Sequence, residues 1–323
     1  MQSSFVHPLK VGNIQLENNI IVAPIAGFTD FAYRSICRRF GAGLTVTELT
    51  SAKGLVYQNR GSTEQIYVKD EKRPRAIQIF GSEPDFIEKA CLDERLNAFD
   101  IIDINMGCPM KKIVNNNDGS ALMKNPALIE QIVKAAVKGG KGKPITVKMR
   151  AGYYMNQPVA VECALAAQDG GASMVTIHSR YRDQMYSGEA DHTITAMVKE
   201  ALSIPVIANG DITSIDILEK VGRITKADGF MIGRAMLGKP WLFAQMIDKH
   251  GEVNVRSVIY EHIELLKELY SETHLTNVMK GQLCYYAKNT RHAKQVRAST
   301  SSIKDLASLY AIIDEYFDIN ILY

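Results

Sequence analysis

The chain has 323 residues, of which 46% are hydrophobic and 23% charged, with a formal net charge of +3. That balance is ordinary for a soluble globular protein and suits one large α/β domain plus an appendage, or two domains. No apolar run reaches membrane-spanning length, the start lacks a signal-peptide pattern, and five scattered cysteines without a Cys-x-x-Cys pair suggest neither a disulfide framework nor a zinc site. A cytoplasmic protein without a membrane anchor is expected.

Taken in order, short apolar runs alternate with helical patterns. Strands are expected at 19–23, 44–47, 76–80, 101–106, 144–148, 174–178, 205–211 and 228–234. Helices are expected at 31–39, from 84 to about 96, and at 126–137, 159–169, 193–202 and 215–221. The residues before 19 read as a short lead-in. Eight such units over about 250 residues predict a (β/α)8 TIM barrel, and no GxGxxG follows the first strand to favour a doubly wound sheet. From about Asn254 the strand pattern stops, and helical periodicity at 258–270, 278–289 and 302–317 predicts a C-terminal all-helical domain. The expected division is residues 1–250 and 251–323.

Charge is unevenly spread. From Lys280 to Lys304 there are six Lys/Arg and no acid; with 38 basic residues in all, 32 remain against 35 acidic ones elsewhere, a balance of −3. A basic segment on a mildly acidic body suggests a polyanionic partner, and a solvated basic helix face is the plain alternative.

The fourth strand ends at Gly107, Cys108 and Pro109, with Asn105 before the thiol and Lys111 and Lys112 after it. Pro109 removes a backbone donor and biases Cys108 away from helix, so a thiol is held on a stiff turn at a strand's carboxyl end. Alone, this cysteine reads as a buried core residue. Yet nearly every strand end carries a polar group: Glu48, Gln78, Asn105, Lys148, Arg150, His178, Arg180, Asn209, Asp211 and Arg234. Singly, Gln78 could tie loops, Lys148 could pair with Glu48, and His178 could be a satisfied core histidine. Together they sit where barrels place active sites. Gly210 and Gly233 after strands seven and eight, with Arg234 expected at a helix start, suggest a phosphate site.

Eight motifs then carry a family resemblance: APIAGFTD (23–30), QIFG (78–81), DINMGCP (103–109), DGSAL (118–122), VKMR (147–150), TIHSR (176–180), IANGDI (207–212) and MIGR (231–234). In this order they resemble the tRNA-dihydrouridine synthases, most of all the bacterial DusB-like branch. The resemblance implies an FMN-bearing barrel and a helical domain that clasp tRNA. By motif, Pro24, Ile25 and Ala26 lie against the flavin; Gln78, Lys148 and His178 contact its ring and ribityl chain; Asn209, Gly210, Asp211, Gly233 and Arg234 surround its phosphate. Asn105 and Cys108 face the uracil, and Arg180 and Lys111 lie near the RNA. In the basic segment, Lys280, Lys288, Arg291, Lys294 and Arg297 are the expected tRNA contacts. Ser179, where the family has glycine, and Ile25, where methionine is common, are expected to alter packing beside the cofactor.

The implied reaction reduces the C5=C6 bond of a uridine in tRNA, with NADPH as electron donor, hydride reaching C6 from reduced FMN and a proton reaching C5 from Cys108. The base would be extruded into the barrel mouth by a monomeric enzyme. Open alternatives are a ribosomal RNA target, a small-molecule FMN oxidoreductase of the dihydroorotate dehydrogenase sort, and a flavin-free RNA-binding protein.

Overall fold

A computed structural model describes residues 3–59, 61, 66–69, 71–288 and 290–323. Eight parallel strands form one sheet: β3 (Ile20–Val22), β4 (Thr45–Ser51), β5 (Arg75–Phe80), β6 (Ile101–Met106), β7 (Ile145–Gly152), β8 (Met174–Tyr181), β9 (Val206–Asn209) and β10 (Gly229–Ile232). Neighbours run in chain order, with β10 beside β3. A bridge between Ile21 and Leu44 and the Val22 amide on the Leu44 carbonyl (2.9 Å) join β3 to the entry of β4 and close the barrel.

The lead-in is a hairpin, β1 (Leu9–Val11) and β2 (Ile14–Leu16), whose Leu9, Val11 and Leu16 pack with Val46, Ile101, Met174 and Met231. It plugs the end of the barrel away from the mouth. Its three-residue strands are too short for an alternation signal to stand out.

Helices cover the barrel. The first, α1 (Phe31–Arg39), is capped by the Asp30 carboxylate, which accepts from the Tyr33 amide at 2.9 Å, as the expected start at residue 31 requires. After the barrel come β11 (Glu252–Asn254) and four α-helices at Val255–Lys267, Glu272–Tyr286, Ala293–Ser299 and Leu306–Tyr316. The strand pattern does not stop at residue 254. Asn320–Leu322 returns as an antiparallel partner of β11 and ties the chain's last residues to the barrel–bundle junction. The expected helix at 278–289 ends on Asn289, which lies outside the described residues. Bundle and barrel share one apolar core, in which Ile36, Phe230 and Met236 join Val258, Ile263 and Leu283. Gly238 sets the contact: with φ +69, a Cβ there would lie 2.2 Å from the Tyr285 carbonyl carbon.

Candidate active site

Register assembles the mouth. Lys148 is paired across the ladder with Asn105 on one side and Thr176 on the other, while His178 is paired with Arg150 and Asn209. Because side chains alternate along a strand, residues two apart share a face, so these groups converge inside the barrel.

Beneath them runs a buried chain of hydrogen bonds. The Asp103 carboxylate accepts from Thr146 Oγ1 (2.5 Å) and Gln78 Nε2 (2.7 Å). Gln78 Oε1 accepts from Asn105 Nδ2 (2.8 Å), and Asn105 Oδ1 accepts from the Cys108 amide (2.9 Å) and the Gly107 amide (3.2 Å). Asp103 and Thr146 were not singled out by the sequence reading; the i, i+2 spacing of Asp103 and Asn105 inside an apolar run is the signal for them. The Cys108 carbonyl accepts from the Ser120 amide (3.1 Å) and hydroxyl (2.9 Å). Gly119, at φ +59, makes that clamp possible, since a Cβ there would sit 2.9 Å from the same carbonyl. The DGSAL motif is thus the brace of the Cys108 turn.

The thiol is half-buried. Burial pushes it above its usual range, and the Met110 amide, Arg150 and Lys148 oppose the shift. Cys108 is not in the wall of the cavity of about 330 Å³ bordered by Pro24, Ile25, Lys148, His178, Asn209 and Arg234 among others.

In that cavity Lys148 Nζ donates to Asn209 Oδ1 at 3.2 Å, and no pair with Glu48 is found among the described residues. Burial lowers Lys148 to about 8, aided by Arg150 and opposed by Asp103. Burial first, then Lys148 and the nearby arginines, holds His178 well below its usual range, so the imidazole is neutral. Gly210 (φ +123) and Asp211 (φ +52) turn the backbone sharply after β9. Among the described residues, the amides of Asp211, Ile212, Gly233 and Arg234 donate to no protein acceptor. Free amides on two adjoining turns, with a lysine and a neutral imidazole on the same wall, fit an anionic group carrying a polar ring. A phosphorylated flavin meets both demands.

Several expected residues stand elsewhere. Ala26 is exposed and outside the cavity wall, and Gln78 is fully buried below it. Arg180, expected near the RNA, is 2% exposed and holds both carboxylate oxygens of Asp211 (2.9 and 2.6 Å) and the Gly188 carbonyl (2.7 Å). It props the β9 turn, because β8 continues three residues past His178 and carries Arg180 inward. Arg234 begins a helix as expected, but only the three-residue 3₁₀ turn Arg234–Met236; its guanidinium reaches Asp211 Oδ1 at 3.3 Å. Ser179 faces outward, bonded to Thr195 Oγ1 (2.6 Å) and His192 Nδ1 (3.3 Å), so its change from glycine does not touch the cavity. Lys111 is exposed at the start of the short helix Lys111–Val114. On the bundle, Lys288, Arg291, Lys294 and Arg297 are exposed, Lys280 is half-buried, and Lys288 reaches the cavity wall.

Arg150 is expected only as one of the strand-end polar groups, without a partner, and Tyr186 not at all. Arg150 is 2% exposed and donates to the carbonyls of Gly107 (2.9 Å), Tyr181 (3.0 Å) and Met185 (3.0 Å), binding the Cys108 turn to the loop after β8. That loop presents Tyr186, half exposed, with the Arg234 guanidinium 4.8 Å from its ring centre.

A closed parallel barrel thus carries cations, free amides and a braced thiol at its carboxyl mouth, where barrel enzymes place their active sites. The solved structure of 6-hydroxypseudooxynicotine amine oxidase from Pseudomonas geniculata N1 shares the fold at TM-score 0.61 and 13% identity, over 77% of this chain and 51% of that protein. This chain therefore spans about half the length of that enzyme. The family model for dihydrouridine synthases (Dus) matches residues 21–320, and the chain belongs to that family. It is 36% identical to tRNA-dihydrouridine synthase B of Vibrio parahaemolyticus, over 96% of this chain and 99% of that one. It is 37% identical to a probable tRNA-dihydrouridine synthase of Rickettsia bellii, over 96% and 98%.

Proposed function

We propose that the protein is a flavin-dependent tRNA-dihydrouridine synthase, which reduces the C5=C6 bond of a uridine in tRNA using NADPH. It acts in the cytoplasm as a monomer, with residues 1–250 as catalytic barrel and 251–323 as RNA-binding bundle. FMN is the group the cavity suits: Lys148 and His178 would hold its ring edge, and the amides of Gly210–Asp211 and Gly233–Arg234 its phosphate. When bound and reduced, the flavin supplies the hydride that reaches C6.

The chain's own residues do the rest. Asn105 fixes the Cys108 turn through the thiol residue's amide. Burial keeps the thiol protonated at neutral pH, so Cys108 Sγ–H can give its proton to C5 as C6 is reduced, and the thiolate recovers a proton from solvent. Arg180 orients Asp211 and does not touch RNA, while Lys111 faces the substrate from outside the turn. The exposed cations of the bundle meet tRNA phosphates. A small-molecule oxidoreductase has no use for that surface.

The observation that carries this reading is the braced Cys108 turn at the carboxyl end of β6, on the barrel mouth that also holds a cavity bordered by Lys148, His178 and Arg234. Cys108→Ala is expected to lower dihydrouridine formation on tRNA by about 10²–10⁴-fold with bound flavin, seen by its visible absorbance, unchanged. Near-normal yield in flavin-loaded variant protein would remove the acid role.

A further inference from the structure

A second chamber of about 370 Å³ adjoins the first and shares Thr213, Arg234, Ala235 and Lys288 with it. It lies beyond the turn at Gly233–Arg234, between the barrel and the carboxyl end of the bundle helix Glu272–Tyr286, and its residues Lys239, Trp241 and Tyr285 belong to none of the sequence motifs. Its wall adds Lys239, Trp241 and Tyr285. No Asp or Glu borders it. Among the described residues, Lys239 and Lys288 have no carboxylate within ion-pair distance. The Trp241 indole N–H, on a side chain 3% exposed, has no acceptor.

The wall is rigid where it matters. The Tyr33 hydroxyl donates to the Met236 carbonyl, the Lys239 amide donates back to the same carbonyl at 2.8 Å, and Gly238 abuts Tyr285 without room for a Cβ. Tyr285 is itself held edge-on against Phe28 at 4.9 Å. Two lysines without an acidic partner, Arg234 and an aromatic face, on a concave wall bordered by no acid, suit a phosphorylated ribose carrying a base.

We infer that this chamber is a second phosphate subsite, which takes the phosphorylated adenosine end of the dinucleotide reductant while its nicotinamide reaches the adjoining cavity. The inference rests on the flavin reading of that first cavity. Lys239 and Lys288 contact the 2′-phosphate, so the chamber separates NADPH from NADH. A concave chamber of this size suits a small nucleotide better than an RNA backbone, which needs a longer track, although both offer the same phosphate chemistry.

The test uses full-length, flavin-loaded protein, whose visible absorbance checks the parent reading independently. Calorimetric titration with 2′,5′-ADP and with ADP, and filter binding of tRNA, are compared for wild type, Lys239→Met and Lys239→Arg. The expected result is that Lys239→Met weakens 2′,5′-ADP about tenfold, that Lys239→Arg restores most of this, and that ADP and tRNA change less than threefold. Loss of affinity for both 2′,5′-ADP and tRNA would still support the subsite, used by the two substrates in turn. Loss for tRNA alone would overturn the assignment to the reductant. Unchanged affinity for every probe in flavin-loaded Lys239→Met protein would overturn the subsite.

Discussion

In the barrel mouth, polar groups are buried and mutually bonded: Asp103, Gln78 and Asn105 link in series to the Cys108 amide. On the bundle, Lys288, Lys294 and Arg297 are exposed, and no carboxylate pairs with them among the described residues. The first arrangement fixes position and the second preserves charge. A proton transfer fails when the donor is misplaced by an ångström, whereas a phosphate contact tolerates a mobile ammonium and needs it unneutralised. Each region would be poor at the other's task.

The comparison breaks most visibly at Asn105. Asn105→Ala leaves Gln78 Oε1 and the Cys108 amide without partners, and turnover is expected to fall about 10²-fold by misplacing the turn. Single-turnover assays with flavin content measured in parallel check this.

Between the regions lie Asp30 and His262, with Asp30 Oδ1 and His262 Nε2 4.0 Å apart. Burial raises Asp30 to about 7 and lowers His262 to about 3. The raised carboxyl contributes stability that is complete below about pH 4 and is lost as pH rises through 7. The depressed imidazole contributes stability that is complete above about pH 6.5 and is lost as pH falls toward 3. Between pH 5 and 8 the two slopes oppose, so the wild type is expected to be nearly pH-independent. Asp30→Asn should be less stable at pH 5 than at pH 8, and His262→Gln less stable at pH 8 than at pH 5, each by on the order of 2 kcal/mol. Urea midpoints at the two pH values measure both slopes.

At the junction itself, Gly238→Val forces a side chain against the Tyr285 backbone and is expected to cost about 1–3 kcal/mol in denaturant unfolding. The gentlest change falls on the bundle surface. Lys294→Glu with Arg297→Glu should leave stability within about 0.5 kcal/mol and weaken tRNA binding about tenfold. The slope of log affinity against log salt should fall by about 2, read from binding at several salt concentrations.

Much of the architecture was legible in the chain. The strand cores and α1 fall where the apolar runs and the helical pattern from residue 31 put them, because a strand buried on both faces must be apolar throughout. Polar residues also follow nearly every apolar run, and Lys148, His178, Asn209 and Arg234 among them border one cavity. What periodicity missed was short or non-local: the hairpin Leu9–Leu16 and the pairing of Asn320–Leu322 with Glu252–Asn254, each too brief to show alternation.

Local sequence determined which residues lie at the carboxyl ends of the barrel strands and that the segment from Lys280 to Lys304 is basic, because both follow from the order of residues along the chain. Only the tertiary structure decided their partners. Arg180 turned inward to Asp211, Arg150 reached across to Gly107, and Ser120 closed on Cys108, through contacts spanning 31, 43 and 12 residues. Such pairings depend on register and on how far each strand continues past the mouth, and the order of residues in a single strand carries neither.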